Sequence, residues 1–252
     1  MPDKAKPMDD MKKTVTVLFT LFAMGWVASA QTNFQTFYDF GRKHFTTTLE
    51  GFHQDNWGNT FFFVDYDYNN RDGNSIVSPN NTYFEIARCF NFWSDSALAP
   101  LSFQLEYNGG FGTWGRLSGA PGLDYGAFAV NSAFLAGVDW FLHSDDFNNT
   151  LNFKLLYKHF VKLASQVPLQ FTAVWGCQDL FGLKGLRFSG FADFWCEGSK
   201  LVFLSEPQIW FQLFDHFNIG GEVEFSYNFA GLEASTGRAF NVLPCLGAKW
   251  VF

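Results

Sequence analysis

Charge is scarce in this chain of 252 residues: Asp, Glu, Lys and Arg supply 16% of it, where globular proteins average about a quarter. With 48% hydrophobic residues, the composition is not that of a disordered segment. Positive charge is the scarcer sign, 17 Lys and Arg against 24 Asp and Glu. Binding a phosphate backbone needs a basic face, so nucleic acid is not expected as a partner. Cysteine is sparse too, and Cys89, Cys177, Cys196 and Cys245 form neither a CxxC pair nor a zinc pattern, so four unpaired thiols are expected. After residue 30 no apolar run reaches the ~18 residues of a spanning helix. The G-x-S-x-G, HExxH and P-loop motifs are missing.

What the chain has in excess is aromatic residues, 20% of its length, with 34 Phe, 9 Trp and 8 Tyr. Its first thirty residues form an address. Lys12 and Lys13 precede an apolar run from Val15 to Val27, and Ala28-Ser29-Ala30 supplies the small-x-small pattern of a signal-peptidase site. Residues 1–30 are therefore expected to be a cleaved signal peptide, with Met8 or Met11 as alternative starts, and Gln31 to open the exported domain 31–252.

That domain reads with period two. Leu101, Phe103, Leu105 and Tyr107 alternate with Ser102, Gln104 and Glu106. Val223, Phe225, Tyr227 and Phe229 alternate likewise with Glu222, Glu224, Ser226 and Asn228. Segments of about ten residues bounded by Gly, Asn, Asp, Ser or Pro are the signature of barrel strands. The template predicts strands at 32–40, 44–54, 58–68, 81–93, 101–108, 130–142, 150–162, 168–177, 185–196, 200–213, 217–229 and 240–252. An even count suits an all-β, twelve-stranded antiparallel transmembrane β-barrel in the outer membrane of a Gram-negative bacterium. If the first strand runs outward, the longer connections fall on the outside. Tyr38, Tyr66, Tyr107, Tyr157, Phe194 and Tyr227 then lie near the outer ends, and Trp140, Trp175 and Trp250 near the inner ends, all on the apolar face. These are two interfacial girdles. A soluble sandwich or lipocalin-like barrel is the alternative, but its outer face would be charged.

The last residues, Leu246 to Phe252, end in Phe with Trp250 and Leu246 at alternate positions, and this resembles the signal by which outer-membrane barrels reach their assembly machinery. WGNTFFFVDYDY (57–68), YFEIARCF (83–90), EYNGG (106–110), LRFSGFADFW (186–195) and FLSEPQIW (203–210) resemble the Tsx family of nucleoside-specific channels. They are closer still to an uncharacterised Tsx-like family of Bacteroides-type bacteria. The resemblance implies a monomeric barrel that passes nucleosides.

By strand parity the interior receives Asp39, Glu50, Asp65, Asp67, Glu85, Glu106, Asp139, Asp193, Glu222 and Glu224, with Lys154, Lys158, Arg187 and Lys249 as the bases. Phe37, Phe52, Phe61, Phe63, Phe191 and Trp195 turn inward too. Twelve strands enclose a slot narrower than that of the larger porins. The candidate solute contacts are Phe37, Glu50, Phe61, Phe63, Asp65, Glu85, Glu106, Lys154, Arg187, Phe191, Asp193, Glu222 and Glu224. Rings offer a nucleobase a stacking surface and carboxylates accept from ribose hydroxyls. The alternative is that the charges pair across the interior and the rings plug it, giving a non-conducting structural or adhesive barrel.

Arg88 points at lipid by parity, a cost that a β-bulge or a position near the interface would relieve. Pro207 interrupts a strand because it cannot donate to the ladder, and Glu206 and Gln208 are expected to turn inward beside it. The glycine-rich stretch 109–129 reads as a loop, either folded into the mouth or free at the surface. Asp65, Asp67, Asn69 and Asp72 make an acidic turn without calcium-loop spacing, so no metal or other cofactor is expected. The histidines stand in no catalytic arrangement. His143-Ser144-Asp145-Asp146 reads as a solvated turn, so no enzyme, and in particular no barrel hydrolase, is expected.

Overall fold

In the computed structural model, which describes residues 30–68, 79–115 and 125–252, the alternating segments are strands. They are β1 (Ala30–Asp39), β2 (His44–Asp55), β3 (Gly58–Tyr68), β4 (Pro79–Phe90), β5 (Leu101–Gly115), β6 (Tyr125–Ala129) and β7 (Ala133–His143). Then follow β8 (Asn149–Phe160), β9 (Leu169–Cys177), β10 (Leu186–Glu197), β11 (Lys200–Ser205), β12 (Gln208–Phe214), β13 (Phe217–Tyr227) and β14 (Phe240–Val251). A short helix α1 (Leu232–Thr236) lies between the last two. No helix among the described residues is long and apolar enough to cross a membrane. Of the expected signal peptide, residues 1–30, all but Ala30 lie outside the described residues, and Ala30 pairs with His53 as the first residue of β1.

Neighbouring strands pair antiparallel, with β5 bonded to β7 past β6 and both β11 and β12 lying between β10 and β13. β14 pairs with β1 and β9 with β10, so the ring is closed. Closure removes the edges on which unpaired N–H and C=O groups would face lipid. β6 pairs only with β5, and β11 and β12 are two halves of one crossing, which leaves twelve crossings. The register carries the alternation around the wall. Phe34 faces Leu49 on one side and Trp250 on the other, all outward, while Asn33, Gln35, Phe37 and Asp39 are buried inside. Of the girdle residues, Tyr66, Tyr157, Phe194 and Tyr227 are exposed near the end opposite the termini and Trp140 and Trp250 near the terminal end, while Tyr38, Tyr107 and Trp175 share that face half-buried.

Three segments depart from the sequence expectation. β5 does not stop at residue 108 but continues to Gly115, pairing with β4 as far as Gly112 and, on its other edge, with β6. The described parts of the glycine-rich stretch are thus a strand extension, because backbone pairing needs no side chain; residues 116–124 lie outside the described residues. β4 ends at Phe90 rather than 93, where Asn91 turns its amide to Trp57 O at 2.8 Å. Pro207 breaks the crossing into β11 and β12, yet Asp193↔Leu204 and Ser189↔Gln208 keep one register across the gap. Gly190 accommodates it: a Cβ there would lie 2.6 Å from Glu206 O and 2.8 Å from Pro207 Cα. Glu206 and Gln208 consequently both face inward by ordinary alternation.

Arg88 faces outward from a regular stretch without a bulge. It sits near the terminal end of the wall, donating to Asp55 at 2.8 Å and to Thr60 at 3.1 Å, with its guanidinium over Phe90. The interface position, not a bulge, relieves the charge. All four cysteines are free.

Candidate functional site

Every predicted interior residue stands on the inward face, because one-residue alternation continued through a fixed register leaves no other arrangement. The structure gathers them into two clusters.

The first is carried by β12, β13, β14, β1, β2 and β3. Glu50 accepts from Asn33 Nδ2 at 2.8 Å, and Gln35 Nε2 donates to Asn33 Oδ1. Asp65 accepts from Thr48 at 2.5 Å, and Asp67 from Thr46 and Asn81. Glu222 accepts from Gln208, which in turn accepts from Trp210 Nε1. Glu206 stands in like-charge company with Glu222, Glu224 and Asp65. Cations here are Lys249, whose Nζ lies 4.1 Å over the Trp210 ring, and Arg42. Phe37 packs on Trp210 at 5.6 Å. Arg187 pairs with Trp210 across the β10–β12 ladder and has Lys249, itself in the field of Glu50 and Glu222, as an electrostatic neighbour.

The second cluster is carried by β4, β5, β7, β8, β9 and β10. Glu85 accepts from Tyr83 Oη at 2.6 Å, and Glu106 from Gln104 Nε2 at 2.6 Å. Asp193 shares their field from the far side, with Lys154 and Lys158 as counter-charges. Lys158 donates to Gln170 at 2.7 Å and lies 4.3 Å over the Trp195 ring, an arrangement in which the ring quadrupole stabilises the ammonium. Asp139 accepts twice from Asn152. Toward the end opposite the termini an apolar core fills this side: Ala133, Leu135, Leu156, Phe160, Trp195 and Val202, with Leu163, Leu204 and Phe229 packed against it.

Between the clusters runs an aromatic row. Phe61 and Phe63 are 6.1 Å apart, and Phe63 is 5.9 Å from Tyr83. Phe191 faces inward on β10 without a ring contact among the described residues. Four participants escaped the sequence reading. Arg42 lies in a connection, where parity says nothing. Tyr83 and Trp210 sit at inward positions that alternation could have found. Leu156 is an apolar residue that looks the same whether it meets lipid or core. Asp65 and Asp67 of the acidic turn are spent on strand-to-strand hydrogen bonds, and its Asn69 and Asp72 lie outside the described residues. No group of His, Cys, Asp and Glu among the described residues is arranged to hold a metal.

The His143 run is a tight turn. Ser144 Oγ donates to Asp146 Oδ1 at 2.6 Å, while the His143 ring meets Ser144 O and stacks on Phe147 at 3.9 Å. The imidazole is therefore engaged away from the hydroxyl a nucleophile would use.

No curated protein matches the chain. Among solved structures it is similar to a KdgM porin, at 9% identity and TM-score 0.47 over 88% of this chain and 99% of that one. It is similar also to the outer membrane protein Omp33 of Acinetobacter baumannii, at 13% identity and TM-score 0.39 over 89% and 98%. A mutant porin of Rhodopseudomonas blastica aligns at 9% identity and TM-score 0.35 over 90% and 100%. None of these is a Tsx channel, and likeness at this level says nothing of cargo. The family model described as domain of unknown function DUF5020 matches residues 30–252, from the first strand to the terminal Phe252, and the chain belongs to that family.

Proposed function

We propose that the barrel is a passive channel in the outer membrane of a Gram-negative bacterium, a monomer that passes nucleosides or similarly small polar solutes. An apolar belt between two aromatic girdles matches hydrocarbon between two headgroup layers. The observation that carries the transport reading is where the unpartnered polar atoms lie. Buried polar groups are as a rule hydrogen-bonded. Among the described residues, Gln35 Oε1, Asn81 Oδ1, Asn108 Oδ1, Arg187 Nε, Asp193 Oδ1, Trp195 Nε1, Glu224 Oε1 and Ser226 Oγ have no partner and belong to inward-facing side chains, against Trp175 Nε1 on the outer face. These atoms are shielded from bulk solvent as well as unpartnered, so water held inside the barrel is the partner they call for, which suits a hydrated interior.

The excess of carboxylates in both clusters disfavours anions such as nucleotides. The row of Phe61, Phe63 and Tyr83 offers a base a π surface of about 1–3 kcal/mol per stacked base, beside Glu50, Asp65 and Glu85 as acceptors for hydroxyls. Reconstitution in planar bilayers and liposome swelling test this. Open channels and faster entry of adenosine than of its monophosphate are expected. Silent bilayers, or conductance and swelling indifferent to nucleosides, would count against it.

A second reading, a sealed structural or adhesive barrel, is favoured by Trp210, Leu156 and Gln104, which have relative exposures of 1%, 0% and 0% within the interior. It prevails if reconstituted barrels hold an ion gradient.

A further inference from the structure

The turn between β1 and β2 does not stand clear of the rim. Asp39 Oδ1 accepts the amides of Gly41 and Arg42 at 2.7 and 2.8 Å, and Asp39 O accepts that of Lys43 at 2.8 Å. Lys43 closes the turn in the left-handed region, at φ 59°. Gly41 rests on Leu243, an inward-facing residue of β14: a Cβ there would be 2.4 Å from Leu243 Cδ2. The Phe40 amide continues the ladder to Pro244 O at 3.1 Å. The turn therefore bends over the interior.

From that position Arg42 reaches inward. One arm of its guanidinium donates to Asp39 Oδ2 at 2.7 Å, and the other to Glu224 Oε2 on β13. Both carboxylates are buried, while 29% of the Arg42 side chain remains exposed. The same charge acts on Glu206 and Glu222 deeper in the wall. A planar fork held by two carboxylates is fixed in place, which a flexible ammonium would not be.

We propose that Arg42 is a specificity-determining residue of the channel: pinned across the outer mouth between Asp39 and Glu224, it offsets the acidic wall and sets how strongly the pore prefers cations to anions. The inference rests on the channel reading above. Its test is the reversal potential of the full barrel in a KCl gradient, for wild type, Arg42→Gln, Arg42→Lys, Glu224→Gln and the double variant Arg42→Gln/Glu224→Gln. Heat-modifiable gel mobility verifies folding. Arg42→Gln raises the potassium-to-chloride permeability ratio on the order of threefold to tenfold, as expected for loss of one unit charge in a confined mouth. Arg42→Lys, which keeps the charge without the fork, raises the ratio by less than Arg42→Gln, and Glu224→Gln lowers it. The double variant, which loses one charge of each sign, returns to wild type and serves even if Arg42→Gln alone fails to fold. Conducting channels whose ratio ignores all these changes overturn the inference and leave the channel reading intact. Silence from wild type and every variant removes both.

Discussion

Toward the end opposite the termini the inward positions of β7 to β11 carry Leu135, Leu156, Phe160, Trp195 and Val202, buried as in the core of a soluble protein, while Asp139, Lys154 and Asp193 line the remainder of those strands. From the break at Pro207 round to β3 the inward positions carry Glu206, Glu222, Glu224, Asp39, Glu50 and Asp65, with Trp210 and Phe37 buried among them. Backbone, alternation and lipid-facing surface are alike in the two sectors. The residue type on one face alone decides whether a sector is held by burial or lined with charge. Stability and selectivity are thereby placed in different parts of one ring, and substitutions should separate them.

The largest effect is expected in the packed sector. Trp195→Ala removes the ring under Lys158 and leaves a cavity beside Leu156, and should lower the unfolding free energy by about 3–5 kcal/mol. Denaturant unfolding of the barrel in lipid vesicles measures this. Conductance of the folded fraction should keep its wild-type ion preference. A loss of selectivity with unchanged stability would erase the distinction between sectors.

Glu206→Gln is the converse. Glu206 faces three carboxylates and has Arg42 as its counter-charge, so its neutralisation relieves repulsion as much as it loses attraction. Unfolding should occur at or slightly above the wild-type denaturant midpoint, while cation preference falls in bilayer recordings. A destabilisation as large as that of Trp195→Ala would show that the acidic sector also holds the fold together.

The wall was legible in the sequence because lipid enforces a one-residue rule. Where hydrocarbon lies outside, a polar residue such as Glu106 or Glu222 has one place to go, and strand parity assigns it. The rule fails where it has no purchase. Leu135 and Leu156 are apolar on the inward face, and only the partner across the interior distinguishes them from a lipid-facing leucine. Arg42 lies in a turn, whose direction is fixed by the contact of Gly41 with Leu243, far away in sequence. Glycines at 110 and 112 read as loop, but their backbone pairs with Tyr83 and Asn81 of β4. The Tsx resemblance added a cargo to the barrel without adding a residue that could be matched to it.

A smaller contrast lies between the two kinds of turn. The β1–β2 turn bends over the interior, whereas residues 144–148, between β7 and β8 at the terminal end, close on themselves. Asp146 accepts from Ser144 Oγ at 2.6 Å and from the Asn148 amide and side chain at 3.0 and 2.8 Å. These bonds favour the ionised form and hold its carboxyl below the usual range. A group with a depressed folded pKa binds fewer protons than the unfolded chain does. Its contribution is therefore complete above the unfolded value near ~3.9 and disappears as the pH falls through the depressed one. Amide hydrogen exchange at Asn148 and Asn149 should accordingly be faster in Asp146→Asn than in wild type at neutral pH, and the two should converge in acid. Conductance should be the same in both, since nothing in this turn reaches the interior. A difference in exchange that persists after the carboxyl is protonated would mean that the left-handed Phe147, at φ 56°, and its stacking on His143 hold the turn, rather than the charge of Asp146.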